Sequence, residues 1–153
     1  MSSEIVRRCQ PDDGPHLAAL RRAWVEENAG GEVPDPGYDE AYEAWWQREY
    51  DLRVSWMAEI DGRPVGMLNL CVFSRMPAPG RLHSQWGYLA NLFVLAEHRD
   101  AGIGARLLSA CLDHAREQRF VQVVLSPSQR SVPFYRRAGF RPAADDLMVL
   151  TLS

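Results

Sequence analysis

The sequence predicts a mixed α/β fold: one sheet with helices on both faces, in the order β-α-α-β-β-β-α-β-α-β. Three observations predict it. Two segments of helical period precede residue 50. The period then changes to two and stays there for three segments. A glycine-broken turn follows, then a strongly amphipathic helix and a continuous apolar run.

Each element has its reason. "EIVRRC" is a short strand of weak alternation. "PDDGPHLAALRRAWVEEN" offers Asp12 or Asp13 as N-cap, with Leu17, Leu20 and Trp24 at helical spacing behind it. "AGGEVPDPG" ends that helix with glycine and proline. "YDEAYEAWWQREY" is a second helix. In "RVSWMAEI", Val54, Trp56, Ala58 and Ile60 alternate with Ser55, Met57 and Glu59, as in a half-buried strand. Asp61-Gly62 is a hairpin signal, "PVGMLNLCVF" the return strand, Ser74 to Gln85 a loop, and "WGYLANLFV" a third strand. Ile103, Leu107, Leu108, Cys111, Leu112 and Ala115 make one apolar stripe of a core-facing helix. "VQVVLS" fits a strand covered on both faces. "SVPFYRRAGF" is a short helix ending at Gly139, and "DLMVLTLS" is the closing strand.

The whole chain, 1–153, fits one domain with a sizeable core. A formal net charge of -3 leaves no basic field for nucleic acid. No apolar run reaches membrane-spanning length, and the N-terminus has no signal-peptide pattern. Cys9, Cys71 and Cys111 show neither metal spacing nor a paired framework, so they read as buried thiols of a cytoplasmic protein that binds no metal.

The chemistry centres on "AEHRDAGIGAR", Ala96 to Arg106. The first amides of a helix have no intrahelical partner and carry the positive end of its dipole, so an anion is held there readily. Glycine lets that anion approach the backbone. A Walker loop is excluded because Ala105 and Arg106, not Lys and Ser or Thr, follow Gly104. A Rossmann turn is excluded because it needs three glycines near the first strand of a parallel unit.

Arg99, Gly102 and Gly104 behind the apolar strand "YLANLFVL" resemble the acyl-CoA-binding motif of the GNAT superfamily of N-acyltransferases. "VPFYRRAGF" resembles the late helix of the same family. The resemblance covers essentially the whole chain, and it implies the GNAT fold with its central strands splayed apart. It implies that amides of Asp100, Gly102, Gly104 and Ala105 hold the CoA pyrophosphate, with Arg99 adding charge. It implies that Leu92 and Val94 bind the pantetheine arm and the acetyl carbonyl through their backbones. Tyr135 takes the position of the general acid that protonates the departing thiolate. The implied reaction is direct transfer of the acetyl group of acetyl-CoA to a primary amine of a small molecule or peptide. The alternative is a CoA-binding module of the same fold without turnover. A homodimer is compatible with either.

The general base is not evident. Relatives place histidines where this chain has Tyr88 and Ala90. Tyr88 and the loop residue His83 are the candidates near the acceptor; His98 and His114 read as structural or exposed. Asn91 either marks the bulge where the strands part or pairs with a neighbour's backbone. The acceptor site is expected between the second helix, with Trp46 as its binding residue, and the Ser74–Gln85 loop.

Overall fold

Five strands pair in the order in which the chain makes them, β1-β2-β3-β4-β5. The computed structural model describes residues 2–143 and 147–152. Strand β1 (Glu4–Arg8) is followed by helices α1 (Gly14–Ala29) and α2 (Tyr38–Glu49). Strands β2 (Arg53–Ile60), β3 (Arg63–Ser74) and β4 (Gln85–Val94) form an antiparallel meander. Helix α3 (Ile103–Glu117) then crosses to β5 (Val123–Val124), which runs parallel to β4, and α4 (Val132–Arg137) follows.

The local signals act as their chemistry requires. Asp61 and Gly62 turn the β2–β3 hairpin with φ of 50° and 79°, the left-handed pair that joins two strands without splaying them. The α3 stripe is buried at Ile103, Leu107, Leu108, Cys111 and Ala115, against Trp56, Leu68, Leu70 and Leu89 of the sheet. On the other face Leu17, Leu20 and Trp46 pack on Met57, Met67 and Phe93. Helices thus cover both faces.

Asp13 stands at the cap position of α1 but does not cap it with its side chain. Its carboxylate turns back to accept from the Gln10 amide at 2.6 Å and from the Arg7 guanidinium at 2.8 and 2.9 Å. Arg7 also donates to Glu59 at 2.9 Å, so one guanidinium ties β1, β2 and the start of α1 together.

Two strands differ from expectation. The run "VQVVLS" forms a ladder only at Val123 and Val124, because β5 leaves β4 immediately after Tyr88. The closing strand was expected over 146–153; Asp146 and Ser153 lie outside the described residues, and Leu147–Leu152 forms no strand. A strand needs a partner edge, and the two-residue β5 provides little of one. Leu147, Met148, Val149, Leu150 and Leu152 are consequently exposed. Cys9 and Cys111 are buried and free, and burial pushes each thiol up to about 12. Among the described residues no helix is long and apolar enough to cross a membrane, and no group of three or more His, Cys, Asp or Glu is placed to hold a metal ion.

Candidate active site at the parting of the central strands

One irregularity in β4 organises the site. Asn69 of β3 faces Asn91, but Leu70 faces Leu89, so Ala90 is the extra residue of a β-bulge. A bulge also reverses which edge of the strand each backbone group faces. Leu95 donates to Val65 at 2.8 Å, toward β3. Backbone groups alternate along an antiparallel strand, so those of Leu92 and Val94 point the other way, toward β5. Below the bulge, Gly87 also faces β5 and donates to Gln122 at 3.0 Å. β5 pairs with β4 only at Gly87 and Tyr88. The amides of Leu92 and Val94 are therefore turned into a gap between parting strands.

The glycine turn stands at the end of that gap. Asp100 and Gly102 have φ of 62° and 83°, and Gly102 occupies the cap position of α3 without any side-chain cap. The first amide of α3 bonded within the helix is that of Arg106, which donates to the Gly102 carbonyl at 3.1 Å. The amides of Ile103, Gly104 and Ala105 precede it and have no intrahelical partner. A Cβ on Gly104 would stand 3.7 Å from Phe134 and 3.9 Å from Val94, on the side of the gap.

Arg99 is engaged elsewhere. Its Nε donates to the Val94 carbonyl at 2.9 Å, and its two terminal nitrogens hold Glu27 at 2.6 Å each. It braces the turn against β4 and α1. Its hydrogen bonds also hold the Glu27 carboxyl below the usual carboxylate range. Arg106 braces the turn too, donating to the Ala101 carbonyl at 2.9 Å and pairing with Glu4.

Tyr135 lies half-buried on α4, edge-on to Phe134 at 5.0 Å and to Phe140 at 5.7 Å. The end of α4 fixes it. Gly139, at φ 101°, donates to the Arg136 carbonyl, and Phe140 donates to that of Tyr135, at 3.0 and 3.1 Å. These are the two bonds of a Schellman cap, with the accompanying apolar contact made by Phe140 and Tyr135 themselves. Burial, and next the Cys111 thiol, raise the Tyr135 pKa above its ordinary value, so the phenol keeps its proton. A shallow groove between α3 and α4 is lined by Ala105, Ser109, Arg116, Phe134 and Arg137.

On the α1–α2 face a cavity of about 420 Å³ opens beside the bulge. Its walls are Leu17 and Arg21 of α1, Tyr38, Tyr42 and Trp45 of α2, and Arg53 of β2. Its floor is polar. Ser55 donates to Asn69 at 3.2 Å, and Asn69 donates to Asn91 at 3.2 Å, a ladder across three strands beside Ala90. Asn91 flanks the bulge, as the first expectation had it; its side chain bonds the Asn69 side chain and not a neighbour's backbone.

Other candidates fall elsewhere. Trp46 lines the cavity, but it is only 2% exposed and its indole N–H donates to the Pro11 carbonyl at 2.8 Å; it is a core ring, and Trp45 is the more open wall. Tyr88 sits where β4 and β5 still pair, donates to Ser126 at 3.4 Å and does not line the cavity. His83 is exposed in the β3–β4 loop, away from the cavity lining. No residue of the expected Ser74–Gln85 loop lines the cavity, because that loop projects past the end of the sheet. His114 packs edge-on against Trp56 at 5.5 Å, and burial lowers its pKa. Arg21, Arg53, Ser55 and Asn69 were missed. Polar residues in the middle of apolar strands were the available signal for the last two.

The chain is similar to known proteins. Residues 17–140 match the family described as "Acetyltransferase (GNAT) family". Over 80 residues the chain is 31% identical to a glucosamine 6-phosphate N-acetyltransferase of Trypanosoma brucei brucei, covering 52% of each chain; the chain spans about half the length of the curated relatives it matches. A predicted acetyltransferase from Clostridium acetobutylicum, solved with acetyl-CoA, has the same fold, with a TM-score of 0.78 and 20% identity over 97% of this chain and 96% of that one. A GCN5-related N-acetyltransferase from Ralstonia eutropha superposes with a TM-score of 0.73 at 25% identity, over 97% and 99%. The bulged β4, the parting of β5, the uncapped glycine turn and the family match over most of the length lead to one conclusion: this chain belongs to the GNAT acetyltransferase family.

Proposed function

We propose that the protein transfers the acetyl group of acetyl-CoA directly to a primary amine bound in the cavity between α1, α2 and the sheet. The observation that carries this is the bulge at Ala90. It borders the cavity on one side and the β4–β5 gap on the other, so a thioester entering the gap would meet an amine entering the cavity.

The residues fit acetyl-CoA as substrate. The pyrophosphate suits the amides of the turn, from Asp100 and Gly102 to Gly104 and Ala105, where the helix dipole favours an anion. Arg99 acts by holding that turn rather than by touching phosphate. The backbones of Leu92 and Val94 suit the pantetheine arm. The groove past Arg137, for which no ion pair occurs among the described residues, suits the phosphorylated adenosine end.

In the reaction a neutral amine attacks the acetyl carbon. The Leu92 amide donates to the developing oxyanion, a preorganised stabilisation. The carbon–sulfur bond then breaks, and Tyr135 protonates the departing sulfur. The amine's proton leaves by way of water, since the cavity lining contains no Asp, Glu or His. That same lack of a base favours a second reading, a CoA-binding module without turnover. Incubation with acetyl-CoA and an amine panel separates the two. N-acetylated product forming one for one with free thiol supports transfer. Binding of acetyl-CoA with no product from any amine supports the module.

A further inference from the structure

The cavity's charge is one-sided. Two arginines line it and no carboxylate does. Arg53 is satisfied: it donates to Glu49 at 2.9 Å and to the Cys71 sulfur at 2.9 Å. Arg21 is not. Among the described residues it has no hydrogen bond and no ion pair, although its helix neighbour Arg22 is paired with Glu26. Its guanidinium lies over the Trp24 ring at 5.0 Å, and the residue as a whole is half-buried. A cation withdrawn from water beside apolar rings costs free energy unless an anion meets it. Among the described residues no carboxylate meets Arg21, which leaves it available to an anionic ligand.

The rest of the cavity describes the ligand between its ends. Tyr38, Tyr42 and Trp45 present flat walls. Asn91 and the bulge at Ala90 form the polar end, where the amine would react. We infer that the acceptor is a primary amine with a flat apolar body and an anionic group, carboxylate or phosphate, received by Arg21. The inference rests on the cavity being the acceptor site proposed above.

The same charge has a further consequence. Diamines and polyamines, with a second positive charge at the Arg21 end, are disfavoured by repulsion between like charges.

A matched series tests this: benzylamine, 4-(aminomethyl)benzoate, 4-(aminomethyl)phenyl phosphate and 1,4-bis(aminomethyl)benzene. These share one flat body and differ in the charge opposite the amine. Acetylation kcat/KM should favour an anionic member over benzylamine by about tenfold, the scale of a charge-assisted hydrogen bond. The diamine should be poorest. The better of the carboxylate and the phosphate identifies the anion. Arg21→Gln should bring the anionic-to-neutral ratio close to one, and Arg21→Lys should restore part of it. A purely packing role would slow every amine alike and leave the ratio unmoved, which overturns the inference. A flat or reversed charge order in the parent also overturns it. Calorimetric binding of the same amines to the CoA complex gives the same ordering independently of turnover. A protein that binds no acetyl-CoA refutes the acetyltransferase proposal itself. One that acetylates amines without regard to charge refutes only the acceptor class.

Discussion

A phenol half-buried beside Phe134 and Phe140 holds its proton at neutral pH, so Tyr135 is suited to give one rather than take one. Tyr135→Phe keeps the ring and its packing and removes only the donor. Because a thiol of pKa about 8.5 leaves fairly well as thiolate, the loss belongs at the low end of general acid catalysis. We expect kcat to fall about one hundredfold, or ~2.7 kcal/mol, with stability and the acetyl-CoA Kd little changed. Steady-state kinetics under conditions where chemistry limits the rate measure this; an unchanged kcat makes Tyr135 a packing residue. Arg137 makes a different kind of prediction. If it faces the adenosine 3′-phosphate, Arg137→Ala raises KM for acetyl-CoA several-fold, as loss of a charge-assisted contact should, and leaves KM for acetyl-dephospho-CoA as it was. Equal effects on both substrates would place the phosphate elsewhere. At this scale the sequence was readable where a residue acts through its own neighbours, as in the Gly102–Gly104 turn. It was unreadable at Arg99, whose guanidinium is taken by Glu27, 72 positions away. Trp45 and Trp46 are adjacent and chemically alike, and only the packing against Pro11 and Tyr50 tells the core ring from the wall.

Elements carry the geometry by the way they end. Helix α4 is six residues long and has no stability of its own to spare. Its Schellman cap at Gly139 both stops it and sets the Phe140 ring against Tyr135. A Cβ at Gly139 meets nothing within 4 Å, so its cost is purely conformational, from a φ of 101°. Gly139→Ala should therefore lose about 1–2 kcal/mol of stability and also lower kcat, because the cap positions the phenol. Denaturant unfolding together with kinetics checks it: a stability loss with unchanged kcat would separate the cap from the chemistry. The hairpin at Asp61-Gly62, the α3 stripe and the Gly139 stop were legible because each is specified within a few residues. β5 was not. Its apolar run predicts burial, but its short pairing is set by where β4 bulges, at Ala90, an extra residue visible only once the register with β3 is known. The closing strand failed for the same reason: apolar pattern marks a segment fit to pair, while the partner edge decides whether it does.

Across the whole molecule, both helical layers are held to the sheet by apolar packing and by an arginine. α3 is held by its apolar stripe and by Arg106 on Glu4, and α1 by its own apolar residues and the Arg7 link to Asp13 and Glu59. The Arg7 hydrogen bonds hold the Asp13 carboxyl below its ordinary value, and its side chain is only 6% exposed. A depressed carboxyl pKa stabilises the fold above about pH 4, its unfolded value, and that contribution is lost as pH falls from there through the folded value. Asp13→Asn should thus cost about 2 kcal/mol at pH 7. That is below the figure for a fully buried pair, because the Arg7 side chain is 34% exposed. The difference from the parent should shrink toward pH 3. Urea unfolding at both pH values tests it, and a gap independent of pH would mean that shape rather than charge matters at this position. The cavity beside the bulge is assembled by the whole molecule. Its walls come from α1, α2 and three strands, so no local stretch announces it, and the expected loop contributes nothing to it.

In the proposed reaction the thioester enters the β4–β5 gap, pinned by the turn before α3. At 17.3 kDa the protein suits an amide-resolved NMR titration with acetyl-CoA. The amides of Leu92, Val94, Gly102, Gly104 and Ala105 should shift together and saturate at one equivalent, while those of the exposed β3–β4 loop stay in place. Shifts that leave Leu92 and Gly104 untouched and gather on another surface would contradict the proposal.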